Sequence, residues 1–158
     1  GRVCRGISGQ TTPQMLVRFR QDVIHLRPRI VHIMAGTNDV AGNTGPTTAE
    51  MTQDNIRSMA EIARANGVRI ILASIPPASH FFWRPEVEPA AAISELNRWI
   101  RAYAHEIDAV YADYHGVMSD EHGAMKPGLS YDDVHPSAEG YAVMKPVAEA
   151  ALVAVSAD

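Results

Sequence analysis

Three short apolar runs, at 30–34, 68–75 and 109–114, alternate with longer stretches of helical periodicity, and that alternation constrains the fold more than any other feature. Runs of this length, rich in Ile and Val and bounded by turn residues, read as buried strands. Gly36 follows the first and Pro76-Pro77 stops the second. A shorter run, Val3-Cys4-Arg5, reads as a fourth strand opening the chain. Between the strands, Thr12 with Pro13 behind it marks a helix start, and Met15, Leu16, Phe19 and Val23 fall on one face. Thr47-Thr48-Ala49-Glu50 has capping-box spacing, followed by Met51, Ile56, Met59 and Ile62, with Gly67 placed as a C-cap. A third helix is expected over 90–106, burying Ile93, Leu96, Ile100 and Tyr103. A fourth starts near Ser137 and carries Tyr141, Met144, Val147 and Leu152, with Pro146 expected to kink or interrupt it. Helices of this length between strands imply right-handed crossovers and a mostly parallel sheet covered on both faces, an α/β sandwich of three layers.

The 158 residues suffice for one domain with a real core, and no linker, repeat or low-complexity tract divides them. The net charge is −4, and no Lys/Arg run is long enough to track a phosphate backbone, so nucleic acid is a poor partner. Arg18, Arg20, Arg27 and Arg29 make the N-terminal third locally basic and read as a solvated rim. Cys4 is the only cysteine, which excludes an internal disulfide and leaves the compartment open. No apolar run reaches the roughly 18 residues of a membrane span.

In parallel sheets ligands gather outside the C-terminal strand edges. The loops leaving those edges are where the polar motifs fall. Asp132-Asp133-Val134-His135-Pro136 places an acid three residues before a histidine. Asp132 either bonds backbone amides in a helix-entry turn or accepts from one imidazole nitrogen and leaves the other free to take a proton. Asp133 competes for that role and should point away if Asp132 points in. Gly36-Thr37-Asn38-Asp39 is either a plain turn or a loop presenting the Asn38 amide to a developing oxyanion, with Asp39 accepting from backbone donors. Gly6-Ile7-Ser8-Gly9-Gln10-Thr11-Thr12 allows backbone N–H groups near Gly9 to approach a ligand; its spacing fits neither the dinucleotide fingerprint nor the P-loop. Ser8 reads as a turn residue, since no strand-to-helix nucleophile elbow surrounds it.

In this order the motifs resemble the SGNH hydrolases, also called the GDSL-like lipase/esterase family. Residues 7–12 resemble the block whose glycine N–H lines the oxyanion hole, which puts that role on Gly9. Gly36-Thr37-Asn38-Asp39 matches Gly-x-Asn-Asp, with Asn38 as side-chain donor. Asp132 and His135 match Asp-x-x-His, and Pro136-Ser137-Ala138-Glu139-Gly140-Tyr141 continues it into the last helix. The resemblance covers essentially all of residues 1–158 and implies a flavodoxin-like parallel sheet. It also implies a serine in a Gly-Asp-Ser block, which occurs nowhere in the 158 residues. That serine is expected upstream of residue 1. The family's first strand, which precedes it, would lie inside the sheet beside Val3-Cys4-Arg5.

The implied activity is hydrolysis of a carboxylic ester through an acyl-enzyme, without metal or cofactor. Among the family's compact members, this chain looks most like the platelet-activating-factor acetylhydrolase catalytic subunit and bacterial carbohydrate esterases, which favours a short acyl group such as acetyl on sugar. Phe82, Trp83 and Val134 are the expected substrate contacts, with residues 79–85 forming either a lid over the site or ordinary loop packing. The alternatives are a lysophospholipase or thioesterase of the same family, an inactive glycan- or lipid-binding homologue, a flavodoxin-like phosphate or nucleotide binder, and a metal site on Asp132, His135 and His115 or His122.

Overall fold

The computed structural model describes residues 1–157. Its centre is a three-stranded parallel sheet in the order β1 (Ile30–Ile33), β2 (Arg69–Ala73), β3 (Val110–Ala112). Ile30 faces Arg69 and Ile71 faces Val110 across the two ladders. Because side chains alternate across a strand, neighbouring residues of β2 feed opposite layers. Ile70 and Leu72 join a larger core with Phe19, Ile56, Met59, Ile93 and Ile100, whereas Ile71 and Ala73 join a smaller one with Tyr114, Met118 and Met144. The larger core lies under α1 (Thr12–Asp22), α3 (Ala49–Ala65) and α4 (Pro89–Glu106). The smaller lies under α5 (Tyr114–Met118) and α6 (Ala138–Ser156). A one-turn helix, α2 (Thr37–Val40), follows β1 directly. The three-layer α/β/α sandwich is therefore present, with helices on both faces of a parallel sheet.

The caps explain where the helices begin. Thr48 Oγ1 accepts from the Met51 N–H, and Ser137 Oγ accepts from the Gly140 N–H, each satisfying a first-turn donor. Thr11, not Thr12, is the N-cap of α1, one residue earlier than its sequence implies. Gly67 has a φ of 69° beyond the end of α3, as expected of a C-cap glycine. Ile93, Leu96, Ile100 and Tyr103 are all buried on α4.

Five expectations are corrected. Val3-Cys4-Arg5 forms no strand: it is exposed, and no described strand offers it a ladder. Arg5 is tied instead to Asp22. Arg18 is no free rim charge, since it donates to Asp22 at 2.6 Å, Gln10 at 2.7 Å and the Arg5 carbonyl at 2.8 Å, strapping residues 5–10 to α1. Those two guanidinium groups hold the Asp22 carboxyl below the usual carboxylate range. Met51 and Tyr141 face solvent, because each stands one step off the buried stripe of its helix. The third strand stops at Ala112, where Asp113 caps α5 by accepting from the Gly116 N–H. Pro146 lies within α6 without interrupting it.

Two glycines are required by close approach. At Gly36, with φ of 122°, a Cβ would stand 2.6 Å from Ile75 Cδ1. At Gly140 it would stand 2.1 Å from the Leu129 carbonyl oxygen, so only glycine lets α6 pack against the loop before it. Where β2 ends, the buried Asn97 carboxamide accepts from the Ile75 N–H at 2.7 Å and donates to its carbonyl at 2.9 Å, satisfying backbone left unpaired by the prolines. No helix among the described residues is long and apolar enough to cross a membrane.

Candidate active site

Both readings of Asp132 hold at once, one on each oxygen. Oδ1 accepts from the Val134 N–H at 3.1 Å and the His135 N–H at 2.8 Å, closing the turn. Oδ2 lies 2.7 Å from His135 Nδ1. Burial pushes the Asp132 carboxyl up, but the His135 N–H, its ring and the Val134 N–H together outweigh it, leaving the group below its ordinary value. An ionised carboxylate only accepts, so Nδ1 carries the proton and Nε2 presents its lone pair. The imidazole is largely exposed. Ser130 steadies the turn from below, donating to the His135 carbonyl at 2.8 Å and accepting from the Asp132 N–H at 3.1 Å. Asp133 takes a left-handed φ of 66° and turns away, its carboxylate 3.7 Å from His80 Nε2.

Asp39 fastens the other side. Its buried carboxylate accepts from the Thr12 N–H at 3.0 Å, from the Thr12 hydroxyl, and from the Thr52 hydroxyl at 3.5 Å. Burial raises its pKa against those hydrogen bonds. This cross-link sets the loop before α1 beside α2, so Asn38 and Gly9 become neighbours. Asn38 Nδ2 donates one hydrogen to the Gln10 carbonyl at 2.9 Å, and its Oδ1 accepts from Asn43 Nδ2 at 3.0 Å. Asn43 Nδ2 also stands 3.2 Å from the Gly9 carbonyl. Gly9 is exposed with φ of 76°, within a turn shared with Ser8.

Trp83 lies between these two halves. Its ring centroid is 6.0 Å from that of His135, and its Nε1–H donates to Asn43 Oδ1 at 2.9 Å. Phe82 stands edge-on to it and is 62% exposed, while Phe81 is fully buried beneath. Within residues 79–85 the packing reading holds for Phe81, whereas Phe82 lies at the surface and Trp83 is half-buried beside His135. Val134, an expected substrate contact, is corrected: only 7% exposed, it packs into the larger core because the Asp132 turn directs it inward. Asn43 was not singled out by the sequence, and the Asn-Gly-rich run around it carries no signal beyond a turn. His115 and His122 do not gather with Asp132 and His135; among the described residues no three His, Cys, Asp or Glu side chains are placed to share a metal ion.

A parallel three-layer sheet whose C-terminal edges carry an Asp–His pair and an amide-lined loop has the architecture of a serine hydrolase. The chain belongs to the GDSL-like lipase/acylhydrolase family, whose sequence pattern matches residues 2–143. It resembles the crystal structure of a GDSL-like lipase from Bacteroides thetaiotaomicron VPI-5482, with a TM-score of 0.90 and 47% identity, covering 93% of this chain and 73% of that one. It is 32% identical over 95 residues to the uncharacterized lipoprotein YqeF of Bacillus subtilis (strain 168), covering 54% of this chain and 39% of that protein. It is 26% identical over 151 residues to an acetylxylan esterase of Geobacillus stearothermophilus, covering 90% of this chain and 67% of that enzyme.

Proposed function

We propose that the protein is a serine esterase that removes a short acyl group, acetyl on a carbohydrate, through an acyl-enzyme. The observation that carries this reading is the 2.7 Å contact between His135 Nδ1 and Asp132 Oδ2, which leaves Nε2 as an oriented base. The attacking hydroxyl belongs to a serine outside residues 1–158. His135 takes its proton as the serine oxygen bonds to the ester carbon. The negative oxygen that forms is held by the free Asn38 amide hydrogen and the Gly9 N–H. The bond to the leaving alcohol then breaks, and the imidazolium gives that alcohol its proton. Water, deprotonated by the same imidazole, attacks the acyl-enzyme and releases the acid and the serine. Asp132 remains ionised throughout and stabilises the imidazolium.

Two observations support the acetyl-carbohydrate assignment. One is the likeness to an acetylxylan esterase along 90% of this chain. The other is the aromatic pair of exposed Phe82 and half-buried Trp83, the latter beside the imidazole, a surface suited to an apolar sugar face. Full-length protein assayed on p-nitrophenyl acetate, butyrate and octanoate and on acetylated xylose should prefer acetate and release acetate from the sugar. His135→Ala should lower kcat by about 10²-fold or more, in line with removal of a general base. Equal turnover in the variant and parent would sink the base assignment. Preference for octanoate would move the substrate to a lysophospholipase or thioesterase type.

A further inference from the structure

Asn38 can serve an oxyanion only if its carboxamide keeps one orientation. An amide side chain rotated by half a turn presents an oxygen where the donor should be. The Gln10 carbonyl fixes one hydrogen of Nδ2, and Oδ1 is fixed from the opposite side by Asn43 Nδ2. That same Asn43 nitrogen lies against the Gly9 carbonyl, so one side chain braces the loops bearing both donors. Its own orientation is set in turn, since the Trp83 N–H needs an acceptor and finds Asn43 Oδ1 at 2.9 Å. The backbone agrees with this arrangement: the Asn43 N–H donates to the Asn38 carbonyl at 3.0 Å, and Arg84 Nη1 reaches the Gly42 carbonyl at 3.4 Å. Asn43 is exposed and contributes to neither core, so packing does not account for this run of directed bonds.

We propose that Asn43 and Trp83 form a positioning relay that holds the Asn38 amide toward the oxyanion, with Asn43 acting through Asn38 and the Trp83 indole N–H acting through Asn43. The role rests on the esterase reading above. The Trp83 ring also lies 6.0 Å from the imidazole, centroid to centroid, so the relay runs from beside the base to the donors on the other side.

The test is a double-mutant cycle on the full-length protein, using p-nitrophenyl acetate and following kcat and KM separately. Asn43→Ala removes the brace but leaves Gln10 in place, and kcat should fall by about ten-fold with KM little changed, less than the 10²–10³ typical of a lost donor. Asn43→Asp keeps the acceptor for Trp83 and turns a carboxylate oxygen on Asn38 Oδ1. That repulsion favours the rotated amide, so kcat should fall further, by roughly 10²-fold, as for Asn38→Ala. In an Asn38→Ala background neither substitution should cost more. Trp83→Phe keeps the ring and removes the N–H; a drop of about three-fold, absent when Asn38 is Ala, tests the relay even if the Asn43 variants fail to fold. Additive losses, or an unchanged kcat in Asn43→Asp with a normal melting curve, would overturn the relay alone. No turnover of any ester by the parent protein would overturn the esterase reading and the relay with it.

Discussion

The two oxygens of Asp132 serve different partners, which makes one substitution informative. In Asp132→Asn the carbonyl oxygen can still accept from the Val134 and His135 N–H groups, so the turn survives. The amide nitrogen then faces Nδ1 and favours the wrong imidazole tautomer. Activity should fall by about 10³–10⁴-fold while the melting temperature stays close to that of the parent, as measured by ester turnover beside a thermal scan. The pair was legible in the sequence because acid and base lie three residues apart, within one turn. The bonds between Asn38, Asn43 and Trp83 were not: Trp83 comes forty residues after Asn43, and only folding brings them together.

Helix α6 carries the site at its entry. Ser137 Oγ accepts from the Gly140 N–H at 3.1 Å and donates to the Gly128 carbonyl at 2.8 Å, so it caps the helix and ties it to the preceding loop. Ser137→Ala should destabilise the fold by about 1–2 kcal/mol in urea denaturation. Because His135 stands two residues before this cap, kcat should fall several-fold in the same variant. At this scale the alternation of apolar runs and amphipathic stretches made β1, β2, α3 and α4 readable, since the two strands are mostly apolar runs and the two helices carry clear apolar stripes. Val3-Cys4-Arg5 shows where that reading fails. A strand is a relation between two segments, and β propensity in one of them does not provide the other. Tyr114 failed for a different reason: the Asp113 cap starts a helical turn within an apolar run that looks like continuous strand.

Across the whole molecule, two carboxylates at the site contribute to acid sensitivity with opposite sign. Asp132 sits below its ordinary value, so its contribution to stability is full above the usual carboxylate range and is lost as pH falls through its lowered native value. Asp39 sits above its ordinary value, so its contribution is full below about pH 4 and is lost as pH rises through its raised native value. The stability of the parent relative to Asp39→Asn should therefore decline as pH rises from about 4 through the raised native value of Asp39; relative to Asp132→Asn it should rise over the acid side. Urea denaturation of the parent and both variants at stepped pH measures these slopes, and a flat difference for Asp39→Asn would rule out its raised value. The site as a whole is assembled from loops, and Trp83 reaches both sides of it. Its indole cannot be exchanged for a smaller or larger group without disturbing partners on each side. Phe82, exposed and held by no hydrogen bond, carries no such constraint. Divergence toward a new alcohol is therefore easier at Phe82, where bulk and polarity can drift, than at the tryptophan beside it.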